Sequence, residues 1–145
     1  LKPILFILEV DEMRISRNLY AIAAWAFVVG VAVQVFLVGM TVVAGQWGWA
    51  GHINLGHLLA VPLLVMVVTV FTGKYPTSMK RLTLLLFGVY VLQADVLIFL
   101  RVSVPVLSAL HPVLALVDFA LGALLARRAQ ALRQEPVVNA APEIA

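Results

Sequence analysis

The sequence predicts an all-α integral membrane protein, a four-helix bundle running up-down-up-down with both termini cytoplasmic. Three observations predict it. The first is composition: of 145 residues, 63% are hydrophobic and 12% charged, and the mean hydropathy is +1.07. A soluble globule of this size leaves much of its chain surface wet, so this much apolar surface requires lipid as its solvent. The second is four apolar stretches that approach or exceed the roughly 20 residues needed to cross a hydrocarbon core. They are Leu19–Ala44, Ile53–Thr72, Leu82–Leu100 and Val106–Ala126. The third is where the cations fall. Lys2, Arg14 and Arg17 precede the first stretch, Lys74, Lys80 and Arg81 separate the second from the third, and Arg127, Arg128 and Arg133 follow the fourth. Arg101 is the tenth and lies in one of the other two connections, so the excess of positive charge puts both termini inside.

Residues 1–18 form a cytoplasmic or interfacial segment, 19–126 the bundle and 127–145 a cytoplasmic tail. The opening "LKPILFILEVDEM" lacks a starting methionine, while Met13 leads into "RISRNLY", a natural cytoplasmic flank. Either translation starts upstream at a non-methionine codon or this stretch is an interfacial helix. The first span is too long, and too polar beyond its end, for a simple cleaved signal. Trp47 and Trp49 mark the outer interface and Tyr20 and Tyr75 the inner one, where amphipathic rings prefer to sit. Short connections make consecutive helices antiparallel neighbours. "RQEPVVNAAPEIA" reads as a mobile tail. A net charge of +3 dispersed between apolar runs excludes nucleic acid as a partner and leaves membrane lipid. With no cysteine, disulfides and thiolate metal sites are excluded as well. No phosphate loop or hydrolase triad is present.

At helical spacing each span carries a small or polar stripe. Gly30, Gln34 and Thr41 lie on the first, Gly88 and Asp95 on the third, and His111, Ala115, Asp118 and Gly122 on the fourth. Close helix packing accounts for most of these. The histidines ask for more. His52 and His57 stand in "GHINLGHLLAVPLL" and His111 in "SALHPVLALVDFAL", each at the mouth of an apolar run. Spans two and four run the same way, so His57 and His111 fall at similar depth, about one turn below the outer surface at about 1.5 Å per residue. Two imidazoles on alternate helices suit the two axial positions of an iron porphyrin.

Gly56, Gly88 and Gly122 supply room for such a macrocycle, and Arg101 and His52 lie where its propionates would emerge. His52 is about 140° round a helix from His57, so both cannot ligate one iron from one side. A solvated interfacial histidine is the plainer reading for it. His57 and His111 could instead hydrogen-bond across helices. Pro112 either kinks the fourth span or begins it, and in the second case His111 becomes an N-cap-like position. Asp95 and Asp118 are costly in lipid and either bond each other or Gln34, or carry protons.

This pattern resembles one four-helix half of haem A synthase, in which histidines stand at the outer ends of the second and fourth helices. The carried-over positions are His57, in "HINLGHLLA", and His111, in "ALHP". The resemblance covers residues 15–128 and extends to small uncharacterised four-helix bacterial membrane proteins with the same glycine–histidine element. It implies haem b in a bacterial cytoplasmic membrane, multi-pass. In the synthase's catalytic half a glutamate stands three residues before the second-helix histidine and an arginine just after it. Asn54 and Leu58 occupy those positions here. The resemblance therefore implies an electron-carrying haem protein and not a self-sufficient synthase. A homodimer or larger complex would restore an eight-helix arrangement.

The alternative expectation is an accessory structural subunit of a respiratory or photosynthetic complex, holding another tetrapyrrole pigment or none. An ion carrier using Gln34, Asp95 and Asp118 ranks last, because no interrupted helix pair is legible.

Overall fold

The computed structural model describes residues 2–134, with side chains from 10 to 133. Helix α1 (Lys2–Val42) is followed by α2 (Ala50–Leu58), α3 (Ala60–Thr72) and α4 (Thr77–Val91). A π turn (Leu92–Val96) joins α4 to α5 (Leu97–Leu100), and α6 (Pro105–Ser108) and α7 (His111–Gln134) complete the chain. Among the described residues there is no strand. Grouped as Val10–Val42, Ala50–Thr72, Thr77–Leu100 and Pro105–Arg133, these make four helices long and apolar enough to cross a membrane. By length and composition this is a multi-pass membrane protein.

The ends of the elements differ from expectation. Helix α1 begins at Lys2 and passes residue 19 without interruption, so the N-terminal segment is continuous with the first span. Helix α7 carries Arg127, Arg128 and Arg133 before it ends. The rest of the expected tail, 135–145, lies outside the described residues.

Two crossings are broken, and proline explains both breaks. A helical proline offers no N–H to the carbonyl four residues back and its ring collides with that carbonyl. Pro62 stands four residues after Leu58, where α2 ends, and Pro112 stands four after Ser108, where α6 ends. These breaks differ from the uninterrupted spans expected from the sequence, and both follow from the position of a proline.

Helix α1 packs against α3 and α7, and α4 packs against the same two, which places α1 and α4 on a diagonal. Tyr20, Ala24, Phe27 and Val31 supply the buried face of α1 at spacings of three and four. Leu63 and Met66 of α3, Leu86 of α4 and Leu125 of α7 meet them. Gly122 lets α7 approach α1, since a Cβ there would stand 3.1 Å from Val28 and 3.2 Å from Phe27. The outward faces are apolar too: Trp25, Val29 and Phe36 on α1 and Leu64, Val68 and Phe71 on α3 are exposed. Helices apolar all round are at home in lipid.

One end of the bundle is closed by arginine and tyrosine. Arg17 donates from Nε to the Gly73 carbonyl at 3.1 Å and from Nη1 to that of Leu132 at 3.3 Å, tying α1 to α3 and α7. Its guanidinium lies 5.8 Å from the Tyr75 ring centre. Tyr75 stacks on Tyr20 at 4.8 Å. Thr83 donates to the Met79 carbonyl at 2.8 Å, so Tyr20 must donate its phenolic proton to Thr83, at 2.6 Å. The Tyr75 hydroxyl donates to the Arg17 carbonyl at 3.4 Å, so each of these four side chains has a hydrogen-bond partner.

Candidate functional site

The other end of the bundle holds an open cavity of about 1740 Å³, walled by α1, α2, the π turn, α5 and the start of α7. Its surface is predominantly apolar, with Val31, Val35, Phe99 and Phe119 among the contributors. His52, His57 and His111 all line it, as do Gln34, Asp95 and Arg101. The chain's three histidines therefore share one cavity, although they come from two helices.

Each ring is held differently. His111 is the first residue of α7, and its ring turns away from its own helix to the π turn. There its Nδ1–H donates to the Gln93 carbonyl at 3.1 Å. A π turn shifts the backbone ladder and presents a carbonyl to an outside donor, which is why such turns gather at functional sites. His57 donates its own Nδ1–H to the Ile53 carbonyl one turn earlier, at 2.9 Å. For the neutral form of either ring this selects the Nδ1–H tautomer, whose Nε2 carries the lone pair.

His57 itself is exposed on the cavity wall. The ring against His111 is that of His52, at 6.0 Å between centroids with planes 71° apart. Trp49 packs edge-on to His52 at 5.8 Å. His52 is thus half-buried and not the solvated interfacial side chain expected of it, and its Nδ1 is buried with no hydrogen-bond partner.

The carboxylates part company. Asp118 is wholly buried and accepts a hydrogen bond from Gln93 Nε2 at 2.7 Å. Its partner is Gln93, neither Asp95 nor Gln34. Asp95 is exposed at the cavity edge. Arg101, also exposed, lines the same cavity.

Among the glycines, Gly56 lines the cavity, and a Cβ there would come within 2.9 Å of Gln34 Nε2. Its carbonyl accepts the Tyr90 hydroxyl at 2.7 Å. Gly88 makes no room there: it is exposed and a Cβ on it would meet nothing within 4 Å. Gly122 serves the α1–α7 contact described above. Thr41 donates to the Gly48 carbonyl at 2.7 Å and so holds the loop after α1 instead of a neighbouring helix. Asn54 and Leu58, at the positions where the synthase pattern departs, are both exposed.

Gln93 is a site residue that the sequence pattern does not single out. It was visible as a polar side chain inside the third span, the class most often functional in a membrane. What hid it was its neighbour Asp95, the costlier group by type and so the natural choice. Only the π turn swings Gln93 inward and Asp95 out.

Among the described residues no group of three or more His, Asp or Glu side chains gathers to hold a bare metal ion. A metal that brings its own macrocycle needs only two protein donors, and this cavity provides two imidazoles with free Nε2 atoms.

Residues 34–101 match the model of a family of unknown function, DUF6220. That stretch includes Gln34, His52, His57, Gln93 and Arg101, and stops short of His111 and Asp118. No curated protein and no solved structure matches the chain.

Proposed function

We propose that the cavity binds a b-type haem through His57 and His111 and that the protein carries single electrons in a bacterial cytoplasmic membrane. The observation that carries this reading is the pair of Nδ1–H bonds to the Ile53 and Gln93 carbonyls, which leaves two Nε2 donors on one apolar cavity. Backbone carbonyls that accept from the other ring nitrogen are what metal-bound histidines use to hold their tautomer and orientation. Haem, once bound, supplies a one-electron iron couple whose potential the protein sets through ligand identity and burial. Arg101 would pair with a propionate at the rim. Gly56 keeps Gln34 and the α2 backbone clear of the macrocycle face.

A specific observation favours a variant of this reading in which His52 replaces His57. His52, and not His57, is the ring that lies against His111, so those two would be the pair to hold the group. His52 and His111 are 6.0 Å apart.

Expression with added haem, purification in detergent and a visible spectrum test both. A reduced Soret and α-band are expected, and His111→Ala abolishes the low-spin spectrum. His57→Ala and His52→Ala then assign the second ligand, since only one of them should convert the spectrum. A protein with no haem absorbance ends the proposal. Stable co-purification of that colourless protein with a larger membrane complex would support the accessory-subunit reading instead.

For orientation, we propose up-down-up-down crossings with both termini cytoplasmic, because the cations cluster at the Arg17 end and only Arg101 lies at the histidine end. The chain has no cysteine, so single cysteines at Ser78 and Ser103 report cleanly on sidedness. Ser103 should react with an impermeant maleimide from outside and Ser78 should not.

A further inference from the structure

We infer that Asp118 is a positioning residue for His111: acting through Gln93, it holds the π turn and so sets which nitrogen of the His111 ring carries the lone pair. Gln93 meets α7 at two points. Its side-chain Nε2 donates to Asp118 Oδ2 at 2.7 Å, and its backbone carbonyl accepts from His111 Nδ1 at 3.1 Å. His111 and Asp118 are seven residues apart, two turns along one face of α7. One residue of the third crossing thus holds both.

The π turn makes the second contact available. In an α-helix the Leu97 N–H would donate to the carbonyl four residues back, that of Gln93. Here it donates to Leu92, five back. The Gln93 carbonyl has lost that donor, and the His111 ring supplies another. A carbonyl can only accept, so Nδ1 is the protonated nitrogen of the neutral ring.

The Asp118 contact keeps the turn in this register. Gln93 is only 8% exposed and Asp118 wholly buried, so their hydrogen bond lies in a low-dielectric interior. Breaking it would strand Gln93 Nε2 and Asp118 Oδ2 there, at about 1–3 kcal/mol each. Returning the turn to α register moves the pairing by one residue, about 100° of rotation. That carries the Gln93 amide off Asp118 and gives the Gln93 carbonyl back to Leu97. His111 then has no acceptor for its Nδ1–H, and a free imidazole prefers its proton on Nε2. Asp118 does not line the cavity, so it acts on the ring only through the turn.

The test uses the full chain with isotope-labelled histidine in lipid nanodiscs without added haem, at about pH 8, where an ordinary imidazole is neutral. The nitrogen NMR shifts of each ring report its tautomer, and His111→Gln assigns the signals. The Nδ1–H form should predominate at His111. Asp118→Leu and Gln93→Leu should each lower its ratio to the Nε2–H form about tenfold, a factor equal to about 1.4 kcal/mol. Asp118→Asn retains a side-chain carbonyl that accepts from Gln93 and should retain the wild-type ratio, which lost packing alone would not predict. An Nε2–H ring in the wild type, an unchanged ratio in either leucine variant, or a ratio in Asp118→Asn as low as theirs would overturn the inference. If Asp118→Leu does not fold, Gln93→Leu and Asp118→Asn decide between them. The inference rests on the haem reading only for the use made of the lone pair. A colourless protein with the expected tautomer pattern removes that reading alone, and a haem-binding protein whose ratio no variant moves removes the inference alone.

Discussion

The two ends of the bundle each gather polar side chains and come out opposite. At the arginine end, Arg17, Tyr20, Tyr75 and Thr83 form a network in which each side chain has a hydrogen-bond partner. At the histidine end, Gln34, His52 and Gln93 line a cavity, each with a buried polar atom left unpaired, and two crossings are broken beside it. Satisfied polar groups in a low-dielectric interior rigidify, while unsatisfied ones cost stability unless something binds. The contrast separates a part of the molecule whose polar groups tie the helices together from a part where several buried polar atoms are left unpaired.

That contrast can be broken most forcefully in the packed half. Phe27 is wholly buried and packs edge-on to Tyr90 at 6.2 Å. Phe27→Ala should cost about 3–5 kcal/mol, seen as a lower midpoint in denaturing-detergent titrations of the micellar protein. A loss under about 1 kcal/mol would mean that the packed half does not dominate stability.

A smaller effect is expected at Thr83. Thr83→Val keeps the shape, removes the hydroxyl and leaves the buried Tyr20 phenol without its acceptor. About 1–3 kcal/mol should be lost by the same titration, and Tyr20→Phe on top of Thr83→Val should restore part of it.

Tyr75 makes the comparison pH-dependent. Burial pushes its phenol up to about 12, against the opposing pull of Arg17 and Arg133. An unfolded tyrosine titrates near about 10, so the folded state holds the proton longer. Stability is then undiminished below about pH 10 and falls as pH rises toward about 12. Tyr75→Phe should flatten that alkaline limb in melting curves taken across the window, and an unchanged limb would place the titration elsewhere.

The smallest change is predicted where the polar group is most exceptional. Gln34→Leu removes an unpaired buried acceptor and breaks no observed hydrogen bond, so stability should stay level or rise by up to about 1 kcal/mol. A clear loss would show that Gln34 has a partner in the membrane even without added ligand.

The four crossings were legible because they depend on quantities that add along a chain, apolar length and the placement of cations. The histidine cavity was legible in part. His57 and His111 were picked out as costly groups at span mouths, and both do line one cavity. That His52 would lie against His111 was not readable, because a helical wheel gives angles within α2 and says nothing of how α2 is rotated against α7. Gly88 was assigned to the cavity on spacing alone and faces outward.

Composition and charge order settle that this chain makes four apolar helices, since solvent preference is a property each residue carries wherever it sits. Which of its polar side chains meet is a matter of helix rotation, of two proline breaks and of one π turn. Those depend on contacts between distant segments, and a one-residue shift in register turns a side chain about 100°. Gln93 shows the consequence: as a letter in "VLQADVL" it is one polar residue beside another, and in the folded bundle it joins Asp118 to His111.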